Sequence, residues 1–328
     1  MTPPTSAFTC PAGRLHVIFG AGPLGTAVAR AAIAQGGRVR LVTRSGQAPG
    51  APGAEAVAAD AADPASARAA CEGADVVYQC AAPAYHRWTE AFPQLQQSIL
   101  QAAGAAGSVL VAAENLYGYG VAGDLTEDLP MRATTRKGRV RAAMSARLID
   151  AHRRGEVRAV AARASDFFGP GVRVSALGER LWPALLGGNA VAWFGDPDVA
   201  HSFTYVPDFA ETMVRLGGEH AAWGRAWHVP SPPALSLRAL LERAAGRAGA
   251  SPPTIRRTPR LVLRAAGLFV PAAGEMVEMA YCYDQRFVMI DSACREAFDM
   301  TATSWDAALD ATLAWWETGA TSATLAVV

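Results

Sequence analysis

Apolar positions in the first half of the chain fall into short runs separated by longer amphipathic stretches. Leu15–Phe19 is a short apolar run that ends in Gly20-Ala21-Gly22-Pro23-Leu24-Gly25. An alanine-rich segment with strong helix propensity follows, from Thr26 to Gln35, and Gly36-Gly37 stops it. Arg38–Val42 reads as a second strand and Ala54–Ala59 as a weak third. Asp63-Pro64 then offers an N-cap with proline at the first helical position, so a helix runs from there to about Gly73. Ala74–Cys80, Ser108–Ala113 and Val157–Arg163 are further strands, with helices over Trp88–Ala106 and Arg139–Arg153.

Strands that alternate with helices this long need crossover connections, so the sheet is parallel and covered on both faces. The fold class expected is α/β, a doubly wound parallel sheet of the Rossmann type. Ligands of such sheets sit outside the carboxyl ends of the strands. Beyond Gly169-Pro170-Gly171 the pattern turns irregular, with proline-rich turns near Pro230–Pro233 and Ser251–Pro253. The division expected is a dinucleotide-binding domain over 1–170 and a mostly substrate-binding domain over 171–328.

Composition narrows the function. The 328 residues are 51% hydrophobic and 18% charged, which is globular, and the net charge of +1 leaves no footprint for nucleic acid or an acidic membrane. Small molecules and other protein subunits are the partners expected. Five dispersed cysteines without a C-x-x-C pair point to reduced thiols and a cytoplasmic protein. The histidines form no H-x-x-x-H or H-E-x-x-H, so no metal site is expected. The opening M-T-P-P-T-S-A-F-T-C-P-A-G lacks the basic start and apolar run of a signal peptide. Leu261–Pro271 is too short, and too broken by Arg264, to span a bilayer.

The glycine loop carries the first chemistry. Between a strand and a helix, Gly20 permits a tight turn, Gly22 lets the backbone approach a pyrophosphate, and Gly25 lets helix and strand pack closely. With Pro23 and Leu24 they form the opening of a helix whose free amides and partial positive charge suit phosphates. No carboxylate lies between Gly25 and Glu55 to hold a ribose 2′-hydroxyl. The second strand ends instead in Val42-Thr43-Arg44-Ser45, where Arg44 can pair with a 2′-phosphate. That favours NADP, with NAD the other possibility; the bland reading leaves Arg44 solvated. Asp60 is placed to meet the adenine edge.

The chain resembles the short-chain dehydrogenase/reductase superfamily, extended type, often labelled NAD-dependent epimerase/dehydratase. The resemblance rests on an ordered series: G-A-G-P-L-G, A-A-D-A-A-D-P-A-S, V-V-Y-Q-C-A-A, N-L-Y-G-Y-G, A-R-A-S-D-F-F-G-P-G, F-T-Y-V-P-D-F-A and W-D-A-A-L-D-A-T-L-A-W-W. It implies a seven-stranded Rossmann sheet, a smaller discontinuous substrate domain with a segment around 190–230 returning to the sheet, and Ala81 and Ala82 beside the cofactor. A homodimer through the helices flanking strands four and five is also a family-level expectation. The departures concern chemistry. The glycine spacing is GxGxxG rather than GxxGxxG. Where the family has a catalytic Ser or Thr, four residues before the tyrosine of V-Y-G, stands Ala113; where it has Tyr-x-x-x-Lys, stand Lys137 and Arg141.

Arg141 can keep the electrostatic role of that lysine toward a nicotinamide ribose, but it is a poor proton shuttle. Lys137 would serve as a general acid if burial and the neighbouring Arg139 and Arg141 lowered its pKa; ion pairing or phosphate contact is the alternative for both. Tyr117 and Tyr119 offer phenols that can replace the missing acid. Asn115, His86 and Asp166 are candidate substrate contacts, with Ser165 on the same edge, while Glu127 and Asp128 in T-E-D-L-P read as a solvated turn. Trp182, Trp193, Phe194 and Tyr205 are either pocket or core. Three readings follow: an NAD(P)-dependent oxidoreductase of a small carbonyl, alcohol or activated alkene with a non-standard proton donor; a nucleotide-sugar epimerase or dehydratase; and a non-catalytic NADP(H)-binding sensor.

Overall fold

Seven parallel strands form the central sheet of the computed structural model, which describes residues 13–259, 261–262, 265 and 277–319. Cys10, the opening segment and most of Leu261–Pro271, Arg264 included, lie outside the described residues. The sheet strands are β1 (Leu15–Phe19), β2 (Arg38–Thr43), β3 (Glu55–Ala58), β4 (Val76–Gln79), β5 (Val109–Asn115), β7 (Arg158–Ala164) and β11 (Ala226–His228). Their spatial order is β11-β7-β5-β4-β1-β2-β3, so the order reverses between β1 and β4. β4 is buried along its whole length and β7 along all but its first residue, as expected of strands covered on both faces.

The helices match the sequence pattern apart from their starts. Helix α1 (Pro23–Ala34) begins before Thr26, because Pro23 at its first position has no amide to leave unsatisfied. Asp63 caps α2 (Pro64–Ala70) by accepting the Ser66 amide at 2.9 Å. After α3 (Trp88–Ala105), α4 (Arg136–Arg153) starts before Arg139, since Thr135 Oγ1 accepts the Gly138 amide. Val28, Val160, Phe209 and Trp227 fill one face of the sheet; Phe19, Ile99, Leu110 and Leu148 fill the other. Helix α5 (Val206–Gly218), which supplies Phe209, packs against α1 before the chain enters β11.

A third core lies beyond the carboxyl edge of the sheet, around Phe168, Trp182, Phe203, Tyr283 and Trp305. Three short parallel strand pairs frame it: β6 (Gly123–Leu125) with β13 (Phe287–Met289), β8 (Asp166–Phe168) with β10 (Phe203–Tyr205), and β9 (Val191–Trp193) with β12 (Ile255–Arg257). Among the described residues no helix is long and apolar enough to cross a membrane.

A buried polar network joins this core to the sheet. Arg163 on β7 donates to Glu114 on β5 at 2.9 Å, to the Tyr119 hydroxyl at 2.7 Å and to Ser145 on α4 at 2.8 Å. Tyr119 reaches His228 Nε2 at 2.7 Å, and His228 Nδ1 lies 2.8 Å from the Ile290 carbonyl. A carbonyl can only accept, so Nδ1 carries the ring proton and Nε2 accepts from Tyr119. Burial holds the His228 pKa down to about 4. The Glu127 carboxylate accepts the His228 amide at 3.0 Å, which corrects the solvated-turn reading of that residue; Asp128 is exposed.

Two expectations follow. A Cβ on Gly25 would stand 1.8 Å from the Gly20 carbonyl oxygen, so Gly25→Ala should lower the unfolding free energy by about 3 kcal/mol in urea titrations. His16, paired with the Tyr78 hydroxyl at 2.9 Å, is also held down to about 4 by burial. Both histidines titrate lower folded than unfolded, so their contribution is present above about pH 6.5 and is lost as pH falls toward 4. Urea midpoints should drop across that window, with up to about 3 kcal/mol from each, and His16→Gln should flatten the drop.

Candidate active site

The first two sheet strands fix a cradle at their carboxyl ends. Gly20 has φ of +101°, and a Cβ there would press to 2.8 Å from the backbone of Ala81. Only glycine accepts both conditions cheaply. A Cβ on Gly22, the N-cap of α1, meets nothing within 4 Å, so the space over the helix start is open. No side chain caps α1, whose opening residues are Pro23, Leu24 and Gly25. This geometry fits a dinucleotide pyrophosphate, which needs backbone approach and helix amides rather than a side chain.

Arg44, Asp60, Ala81 and Ala82 follow β2, β3 and β4 on the same edge. Arg44 is exposed and joins no ion pair among the described residues. The Thr43 hydroxyl closes the turn beside it by accepting the Gln47 amide. Asp60 is exposed and accepts the Ala62 amide at 2.9 Å.

A cavity of about 470 Å³ opens between the ends of β5 and β7 and the third core. Asn115, Tyr117, Ser165 and Asp166 line its sheet side; Tyr85 and Trp88 enter from the loop after β4; Trp193, Phe194 and Tyr283 close it from beyond. Arg173, Glu179 and Arg180 lie along its lining on the segment after Gly171, next to the fully exposed Val174. Burial pushes the Tyr85 and Tyr117 phenols above their ordinary range. Asn115 turns its side-chain oxygen back to the Tyr117 amide at 3.3 Å.

The cations in the slot of the usual Tyr-x-x-x-Lys do not line this cavity. Lys137 is 1% exposed, and its ammonium lies over the Tyr85 ring, 4.3 Å from the centroid. Its amide donates to Glu278 Oε1 at 3.1 Å. Arg141 packs its guanidinium on Phe92, 4.8 Å from that centroid, and donates Nη2 to the carbonyl of Ala113 at 3.1 Å. Burial lowers the Arg141 pKa, with nearby Glu114 acting in the other direction.

Of the predicted substrate residues, Asn115 and Asp166 reach the cavity with Tyr117. Tyr119 is fully buried in the Arg163 network, and His86 sits exposed in the turn Tyr85–Arg87, so neither lines it. Trp193 and Phe194 are cavity walls, whereas Trp182 and Tyr205 are core side chains.

Sequence reasoning missed the partners of Asp166. His201 Nε2 lies 2.8 Å from Asp166 Oδ2, and the Tyr283 hydroxyl donates to Oδ1 at 2.8 Å. Burial first, then the Asp166 charge, raises the Tyr283 pKa well above its ordinary value. His201 stands before F-T-Y-V-P-D-F-A and Tyr283 in an otherwise unremarked C-terminal stretch; neither has a local signal.

Comparison with known proteins agrees with the fold. No curated protein matches the chain. Among solved structures, DesIV, a dTDP-glucose 4,6-dehydratase from Streptomyces venezuelae with NAD and TYD bound, superposes with a TM-score of 0.74 at 18% identity, over 93% of this chain and 97% of that one. MoeE5 in complex with UDP-glucuronic acid and NAD gives 0.76 at 20% identity, over 93% and 99%. A UDP-glucuronic acid 4-epimerase from Bacillus cereus, in complex with UDP-glucuronic acid and NAD, gives 0.75 at 16% identity, over 92% and 99%. The family profile described as NAD dependent epimerase/dehydratase matches residues 17–228, and the chain belongs to that family.

Proposed function

We propose that this chain is a dinucleotide-dependent enzyme acting on a hydroxylated, phosphate-bearing substrate of the nucleotide-sugar kind, by redox-neutral epimerisation or dehydration. The observation that carries the reading is a pair of buried polar groups on the cavity wall. Among the described residues, Ser165 Oγ and Trp193 Nε1 have no hydrogen-bond partner. Such groups cost free energy until something meets them, and a polyol offers the hydroxyls to do so. Arg173 and Arg180 on the same lining join no ion pair among the described residues and suit phosphate oxygens. The similar structures named above hold nucleotide-linked sugars or nucleotides alongside NAD, in keeping with this reading.

Gly20, Gly22, Leu24 and Gly25 would hold the dinucleotide pyrophosphate, with Ala81 and Ala82 alongside and Asp60 toward the adenine. A bound nicotinamide supplies a hydride acceptor and donor. Arg44, with Thr43 and Ser45, favours a 2′-phosphate and hence NADP over NAD. Arg141 contributes a fixed cation beside Ala113 but no proton, and Lys137 lies over the Tyr85 ring and off the cavity lining. Proton transfer therefore falls to phenols of the cavity. A second reading, net oxidation or reduction of a small alcohol or carbonyl, is favoured by the replacement of the usual serine, tyrosine and lysine.

Fluorescence titration should show NADPH binding more tightly than NADH, and Arg44→Asp should reverse the order with at least about a tenfold loss for NADPH. Unchanged selectivity would remove Arg44 from that role. Dinucleotide-loaded protein given UDP-glucuronic acid or dTDP-glucose should convert the sugar with no net change in nicotinamide absorbance. A steady absorbance change would favour the oxidoreductase, and binding without conversion of sugars, aldehydes, ketones or enones would leave a sensor.

A further inference from the structure

The hydrogen bonds around Asp166 leave two arrangements of protons. His201 presents Nδ1 to the Cys282 carbonyl at 3.1 Å and Nε2 to Asp166 Oδ2 at 2.8 Å. Both partners are acceptors when Asp166 is a carboxylate, so both ring nitrogens must then carry hydrogen. The alternative is a protonated Asp166. The ring lies flat against Tyr283, with centroids 5.2 Å apart and planes 8° apart, and against Phe287 at 5.4 Å and 23°. His201 is 3% exposed, and Asp166, the partner of its charge, lines the cavity.

The other carboxylate oxygen faces Tyr283. This phenol is buried, lines the same cavity, and already donates to Asp166 Oδ1 at 2.8 Å. Its position is fixed by Phe194, edge-on with centroids 4.4 Å apart, and by Trp193 at 5.6 Å. Its oxygen keeps a lone pair for one further hydrogen bond.

We propose that Tyr283 is the proton-transfer group of this site, working on Asp166 as proton acceptor, with His201 as the positioning residue that keeps Asp166 ionised. The inference rests on the proposed function for its substrate. The substrate hydroxyl gives its proton to Tyr283 Oη while the Tyr283 proton passes to Asp166 Oδ1. Asp166 becomes a neutral carboxylic acid, and His201 keeps both its protons. The electron pair of the O–H bond becomes the second bond of the new carbonyl, and a nicotinamide dinucleotide held by the glycine loop would supply the acceptor for the hydride of the same carbon. Return runs the same transfers backward, with Asp166 returning its proton to Tyr283 as Tyr283 protonates the oxygen. The phenol so used comes from the far wall of the cavity rather than from the helix that carries Lys137.

Two measurements test this. In dinucleotide-loaded protein labelled with nitrogen-15 histidine, NMR should show His201 protonated at both ring nitrogens at neutral pH, and at only one in Asp166→Asn. A singly protonated His201 in the unsubstituted protein would mean that Asp166 already holds the proton, and would overturn the proposal whatever the substrate is. With UDP-glucuronic acid as the probe, Tyr283→Phe should lower kcat about 100-fold, with KM and dinucleotide affinity held within about threefold. Unchanged dinucleotide affinity also shows that the variant is folded. Asp166→Asn should lower kcat in the same direction, and a Tyr283→Phe protein retaining kcat would also overturn the proposal. Failure of the unsubstituted protein to convert the probe counts against the proposed function alone, and the nitrogen spectra then decide the Asp166–His201 pair.

Discussion

The buried guanidinium of Arg163 is the constraint on which the carboxyl edge of the sheet depends. A cation 5% exposed has lost most of its hydration and is tolerable only with its charge matched and its donors used. Burial works against the charge of Arg163, and Glu114 and then Tyr119 more than restore it. To supply those partners, β5, β7, α4 and the turn at Tyr119 have to meet at one point. Removing either member of the Arg163–Glu114 pair would strand the other, at a cost on the order of 3–5 kcal/mol. The same knot fixes the cavity. Tyr119 is two residues from Tyr117, Arg163 three from Asp166, and Ser145 four from Arg141, so the network sets where the cavity walls and the α4 cations stand.

The Lys137 and Arg141 positions become intelligible against this background. Helix α4 delivers its side chains at four-residue spacing to the end of β5, as the sequence resemblance implies. Aromatic rings stand at both cations, Tyr85 beneath the ammonium and Phe92 and Trp88 beside the guanidinium, and hold them by their ring faces. The Arg141 bond to Ala113 also ties the helix to the strand position where the family has its catalytic hydroxyl. Charge has been kept at this end of the cavity.

Much of the fold was legible in the sequence because its determinants are local. Apolar runs between glycine and proline stops mark the sheet strands, and Asp63-Pro64 marks a helix start. The errors at Thr26 and Arg139 arose where Pro23 and Thr135 begin the helix earlier than the apolar pattern does. The paired three-residue strands beyond the sheet were illegible because each forms only against a distant segment; β6 and β13 are joined by residues Gly123 and Phe287. The glycine cradle was readable for the same local reason: a fixed spacing in a strand–turn–helix context. His201 was not, because its meaning lies in Asp166, 35 residues away, and Tyr283 lies 117 from the same carboxylate.

The placement of Tyr119 and Tyr117 shows why residue type alone could not assign the acid. Both phenols follow β5, two residues apart in a short helical turn, and so point in different directions. Tyr119 falls on the side of the buried guanidinium and becomes an acceptor for Arg163 and a donor to His228. Tyr117 falls on the cavity side and meets Tyr85. A phenol donating to a neutral imidazole that is itself locked to a carbonyl has no exit for its proton. A phenol donating to a carboxylate does have one, since the carboxylate can take the proton as its neighbour receives another. On that physical difference the proposed proton traffic of the cavity runs through Asp166.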